Sequence, residues 1–180
     1  MPTADSPLTP HARAPTVGTL VAGYDVPVVN ERAVRVAAGI LFLGGAVSFA
    51  FAIAQHSPVP LRPFGIFFLM DMLLRVTISD RWSPMLALGR LIVRKKQPLW
   101  VGAPQKYFAW WLGYGLALVS CAGMGALGAP WEATLALCSL CLTMLFLESA
   151  FGICVGCALQ RLLTKTPPQY CPGDSCRVSE

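Results

Sequence analysis

The chain has 180 residues, 55% of them hydrophobic and only 13% charged, with a formal net charge of +5. Soluble domains carry roughly a quarter charged residues, so this composition leaves too little polar surface to cover a soluble body and points to one compact membrane bundle. The basic residues concentrate between apolar runs, without aromatic and basic interleaving or a recognition-helix pattern. This excludes nucleic acid as the expected partner and leaves the lipid bilayer.

In chain order, residues 1–29 carry Pro2, Pro7, Pro10, Pro15 and Pro27, show no sustained apolar period, and read as a flexible tail. A transmembrane domain is expected over 30–165. It opens with Asn30, Glu31 and Arg32, a capping side chain followed by an early acid, and runs into the apolar stretch 34–54, long enough to span. Ala52-Ile53-Ala54 has the small-x-small form of a signal-peptide cleavage site, but the run is too long for a signal core and further spans follow. Pro58 and Pro60 mark a turn, and the second span is expected over 61–79, with Asp71 and Arg75 inside it. A basic connector follows with Arg81, Arg90, Arg94, Lys95, Lys96 and Lys106, in which 84–93 is expected to form a helix lying in the interface.

The third span, 107–127, opens with Tyr107, Trp110 and Trp111, residues suited to the headgroup level. Gly128-Ala129-Pro130 turns the chain into the fourth, 131–159, which is longer than a bilayer requires and so is expected to tilt or project. Residues 166–180 form a cysteine-containing tail. The expected fold is all-α, an integral membrane bundle of about four transmembrane helices with a basic interfacial helix between the second and third spans. With Arg161 and Lys165 after the fourth span, the loop charges place both termini in the cytoplasm and the chain in the cell inner membrane.

Asp71 and Arg75 are four residues apart, so they share a helix face in the favourable order of acid before base. Glu148 falls at a depth similar to Arg75, which predicts one buried ionic cluster of Asp71, Arg75 and Glu148 joining the second and fourth helices. A lone charge at the bilayer centre costs about 2.5 to 3.5 kcal/mol, so these three need partners or water. A structural clamp and a proton or substrate path through Glu148 are both compatible with that need.

Seven cysteines are present. Cys121, Cys138 and Cys141 are expected at comparable depth in the outer half of the bundle, as small packing residues. Cys154 and Cys157 form a C-x-x-C pair at the end of the fourth helix, and Cys171 and Cys176 follow in the tail. If the linker with Pro167 and Pro168 folds back, four thiols meet at the cytoplasmic surface beside Arg161 and Lys165, whose charge lowers thiol pKa. All four could hold zinc or an iron–sulfur centre, or pairs could exchange disulfides or carry persulfide sulfur. With only His11 and His56 available, no haem or histidine-based metal site is expected, and no phosphate loop or H-E-x-x-H is present.

Asn30-Glu31 with Arg35, Asp71-x-x-x-Arg75, Pro104-Gln105-Lys106-Tyr107-Phe108-Ala109, Glu148 followed by Gly152, Cys154, Gly156 and Cys157, and Cys171-Pro172-Gly173 arrive in one order. In these motifs the chain resembles a bacterial membrane family known as domain of unknown function 4395, over about Val28 to Cys176. Gln105 departs from the pattern, where Pro directly before Lys is expected. The resemblance implies the membrane fold and draws attention to these residues without naming a reaction.

The leading expectation is a small inner-membrane thiol protein that handles reducing equivalents, sulfane sulfur or a thiophilic metal at the cytoplasmic face. Cys154, Cys157, Cys171 and Cys176 would carry that chemistry, Glu148 would tune it or exchange protons, and a sulfur-transfer or redox protein or a second copy would be the partner. The alternatives are a subunit of an oligomeric transporter or channel using Asp71, Arg75 and Glu148, and a structural membrane subunit without chemistry.

Overall fold

A computed structural model describes residues 17–125 and 128–163 of the chain. Two short strands, β1 (Val28–Asn30) and β2 (Trp100–Gly102), pair antiparallel with Val29 opposite Val101. Each leads directly into a long helix, α1 (Glu31–Ala54) and α4 (Ala103–Gly125). Asn30 closes the first junction as expected: its side-chain oxygen accepts from the Arg32 backbone N–H at 3.1 Å and caps α1. The strand pair therefore pins the first turns of α1 and α4 side by side.

Between them run α2 (Leu61–Leu73), which continues as π-helix through Leu74–Ile78, and α3 (Pro84–Val93). Ser83 caps α3 by accepting from Leu86 N–H at 3.1 Å, with Pro84 at the first helical position, where its missing N–H costs nothing. After α4 the chain returns through α5 (Trp131–Phe146), continued as π-helix through Leu147–Phe151, and ends the described part with α6 (Val155–Leu163).

Three helical segments are long and apolar enough to cross a bilayer: Glu31–Ala54, Ala103–Gly125 and Trp131–Phe151. The 24 residues of α1 reach about 36 Å, more than the ~30 Å hydrocarbon core. The expected second span is an unbroken helical rod from Leu61 to Ile78, but it carries Arg62, Asp71 and Arg75 within its 18 residues and is not among these three. The bundle is inside-out by the standard of a soluble protein. Leu43, Val47, Phe51, Ile66, Val119 and Phe146 are exposed, while the packed centre is built from Val34, Leu41, Phe68, Met72, Leu86 and Trp110.

Two expectations change. Residues 17–29 are not a flexible tail: Thr19 and Val28 exchange two backbone hydrogen bonds of 2.9 Å, and Gly18 N–H donates to Asp80 at 3.3 Å. Residues 1–16 and the tail 166–180 lie outside the described residues. The fourth span does not continue to 159. It ends at Gly152, which takes the left-handed conformation at φ 70° that glycine adopts without strain, and α6 begins three residues later as a separate helix.

Candidate functional site

The charged groups buried among the described residues gather at the end of the bundle that holds the strand pair and α3. Asp71 and Arg75 form the expected ion pair at 2.5 Å, one helical turn apart and both buried. Their third partner is Ser83. Its hydroxyl donates to Asp71 at 2.7 Å and accepts from Arg75 Nε at 3.0 Å, and Asp71 also accepts from Met85 N–H at 3.1 Å. Asp71 thus satisfies one free N–H group in the first turn of α3, where a carboxylate is electrostatically favoured. The Arg75 guanidinium stacks over Trp110 of α4 at 5.5 Å. The effect of this network is to tie α2, α3 and α4 together.

Glu148 has a different partner from the one expected. It pairs with Lys106, and Lys106 also meets Glu31 at 2.7 Å. Lys106 was expected among the solvated cations of the basic connector, but only 1% of it is exposed. The reason is the strand register: α1 and α4 both start where the strands end, so Glu31 in the first turn of one helix faces Lys106 in the first turn of the other. Within the predicted trio Glu148 remains in electrostatic reach of Arg75, but its ion pair is with Lys106, so the groups form two linked sets, Asp71–Arg75–Ser83 and Glu31–Lys106–Glu148. The two sets face a common cavity of about 80 Å³ whose lining includes Arg75, Glu148, Trp110, Cys154 and Gly156.

Both π-helical turns carry one of these charges, Arg75 in the first and Glu148 in the second. A π turn loosens the backbone ladder and leaves carbonyls to be satisfied from elsewhere. Arg35, one turn after Glu31 on α1, donates to Ala150 O at 2.8 Å and to Ser149 O at 3.3 Å, holding the end of the second π turn. The chain then reverses at Gly152 and delivers Cys154 to the start of α6.

The Cys154 carbonyl accepts from Ala158 N–H at 3.0 Å, so Cys154 is the cap of α6 and Cys157 lies in its first turn. Cys154 is buried and Cys157 half-buried. The Cys154 S–H donates to Cys157 and holds the Cys157 thiol below the ordinary range; the Lys106 ammonium acts in the same direction, against burial. The same hydrogen bond, with burial, pushes the Cys154 thiol up. Among the described side chains the cation that acts on the pair is Lys106; the Arg161 side chain lies outside them. Lys165 lies outside the described residues, as do Cys171 and Cys176, and among the described residues no three His, Cys, Asp or Glu side chains group to hold a metal ion.

α6 can approach this closely because Gly156 has no side chain: a Cβ there would lie 2.5 Å from Ala109 Cα on α4. The other three described thiols lie further along the bundle, although Cys141 also reaches the cavity that Cys154 lines. Cys121, Cys138 and Cys141 line one apolar cavity of about 50 Å³ with Phe64 and Phe68, and Ser120 Oγ is 3.4 Å from Cys138 Sγ, in keeping with their expected common depth. The sequence reading placed none of Ser83, Glu31, Arg35 and Lys106 in the site, although Ser83-Pro84 is a helix-start signal and Glu31, Arg35 and Lys106 stand in the motifs that carry the family resemblance.

Comparison with known proteins gives one match: the family described as Domain of unknown function (DUF4395) covers residues 29–165 of the chain. No curated protein and no solved structure matches it.

Proposed function

The chain belongs to this DUF4395 family, and from that premise we propose that it is a small inner-membrane dithiol protein that exchanges disulfides at the cytoplasmic face through Cys157 and Cys154. The observation that carries this reading is the hydrogen-bonded thiol pair at the start of α6, with the more accessible member lowered in pKa beside Lys106. A reactive thiol needs thiolate character and access, and a resolving thiol needs only proximity.

In the proposed cycle the Cys157 thiolate attacks one sulfur of a substrate disulfide, forming a mixed disulfide and releasing the other half as a thiolate. Cys154 then attacks the Cys157 sulfur. Its proton goes to the departing thiolate, which leaves as a thiol. The substrate gains two electrons, and the protein is left with a Cys154–Cys157 disulfide. Reverse exchange with a partner dithiol, either Cys171 with Cys176 or a separate redox protein, returns the pair to the reduced state. Glu148 acts by holding Lys106 in place.

Alkylation of the purified full-length protein, followed by peptide mass spectrometry across pH, tests this reading. Cys157 should react fastest, with a midpoint below the ordinary thiol value. Cys154→Ala should raise that midpoint, and a small disulfide oxidant should produce the Cys154–Cys157 bridge. Reaction at Cys157 no faster than at Cys121, or no bridge, would overturn the proposal.

The transporter reading rests on the cavity between Arg75 and Glu148. It requires flux in proteoliposomes that is lost in Glu148→Gln and survives loss of both α6 cysteines.

A further inference from the structure

A second charged site lies outside this centre, on the lipid-facing side of α1. Between α1, α3 and the end of the second π turn is an open hollow of about 510 Å³. Its rim is cationic, with Arg32, Arg35 and Lys96, and its floor is apolar, with Val36, Gly39, Ile92 and Val93. No carboxylate lines it. The nearby acid on α1, Glu31, is buried against Lys106. Arg35 donates its hydrogen bonds to the neutral Ser149 and Ala150 carbonyls, and the carboxylate that acts on its charge, Glu31, is already paired with Lys106.

The order of these residues along α1 identifies the occupant. Arg32 and Arg35 stand at the strand-pair end, Val36 and Gly39 come next, and Leu43 and Val47 follow on the same face, 64% and 57% exposed. From Gly39 to Val47 is about 12 Å, most of the ~15 Å depth of one leaflet. A free anion would need only the cationic rim. A rim of three cations that opens into an apolar track running toward the bilayer centre has the polarity profile of a phospholipid. A Cβ at Gly39 would lie 3.5 Å from Ser149 Cβ, so the glycine keeps a side chain out of the space between α1 and the second π turn, and exposed Leu91, Ile92 and Phe151 set the hollow among lipid-facing residues. Basic pockets between membrane helices at the cytoplasmic side are suited to anionic headgroups. We propose that this hollow binds one anionic phospholipid, with its phosphate at Arg32, Arg35 and Lys96 and an acyl chain along Val36, Gly39, Leu43 and Val47.

The test uses the full-length protein in a neutral detergent, offered phosphatidylglycerol and phosphatidylcholine in equal amounts, with retained lipid read by native mass spectrometry. Phosphatidylglycerol should be retained at least tenfold over phosphatidylcholine. The double substitution Arg32→Ala with Lys96→Ala, both exposed positions, should remove that preference while the helical melting curve is unchanged. Gly39→Leu should reduce retention with all three cations intact, since it fills the track. Three results would overturn the proposal: equal retention of the two lipids, an unchanged preference in both variants, or displacement of phosphatidylglycerol by millimolar inorganic phosphate. The last would mark a free-anion site in place of a lipid site.

Discussion

A lysine ammonium enclosed at one end of an apolar bundle must be balanced by charges equally hidden from water, and Lys106 has Glu31 at 2.7 Å and Glu148 beside it. Removing one member of a buried ion set strands the others, which costs about 3 to 5 kcal/mol, whereas replacing the whole set with apolar or neutral groups costs much less. Lys106→Met should therefore destabilise strongly, and Lys106→Met combined with Glu31→Gln and Glu148→Gln should recover much of the loss in a thermal melt in detergent. A triple variant no more stable than Lys106→Met would show that the set is not a balanced unit. At this scale the sequence was partly readable. Asp71 and Arg75 declared themselves because their partners are four residues apart on one helix. Lys106 did not, because its partners are 75 and 42 positions away (106 − 31 and 148 − 106), and its next neighbours on the chain side, Lys95 and Lys96, are ordinary exposed cations.

At the scale of elements, the dithiol depends on how closely α6 lies on α4. Lys106 and Ala109 are one turn apart on α4, and Gly156 sits between the two cysteines directly against Ala109. A Cβ at Gly156 would meet backbone, which cannot swing away as a flexible side chain can. Gly156→Ala should therefore lift α6, separate Cys157 from Lys106, and raise the pH midpoint for Cys157 alkylation. Gly113→Ala, on α4 with nothing near the added carbon, should leave it unchanged. An identical midpoint in both variants would mean that the α4–α6 contact does not tune the thiol. The length of the apolar stretches was readable from the sequence. The break after Phe151 was not, since Gly152 is one glycine among 16 in a chain whose helices contain several others. What distinguishes it is Arg35 from a distant helix, holding the carbonyls just before it. The strand pair was likewise hidden, because β1 and β2 are three residues each and mean nothing apart.

For the whole molecule, the strand pair fixes direction. α1 and α4 both leave it, α2 and α5 both return, and so α3, the loop with Arg94, Lys95 and Lys96, both ion sets and the start of α6 share one end. The opposite end has the 55–60 turn and the Gly128-Ala129-Pro130 turn, with Arg62 and Glu132 nearby. Cationic loops are retained on the cytoplasmic side of a membrane, and this asymmetry is what supports the proposed orientation with the dithiol end inward. The prediction is that, in a chain with its native cysteines replaced, a cysteine at Lys95→Cys reacts with an impermeant maleimide only after the membrane is opened. One at Gln55→Cys should react in intact cells. Reversed labelling would put the thiol pair on the outer face, where an oxidising environment favours a permanent disulfide over exchange. Labelling of both from one side would instead mean that the Leu61–Ile78 rod, with its buried Asp71 and Arg75, packs against the bundle without returning across the bilayer.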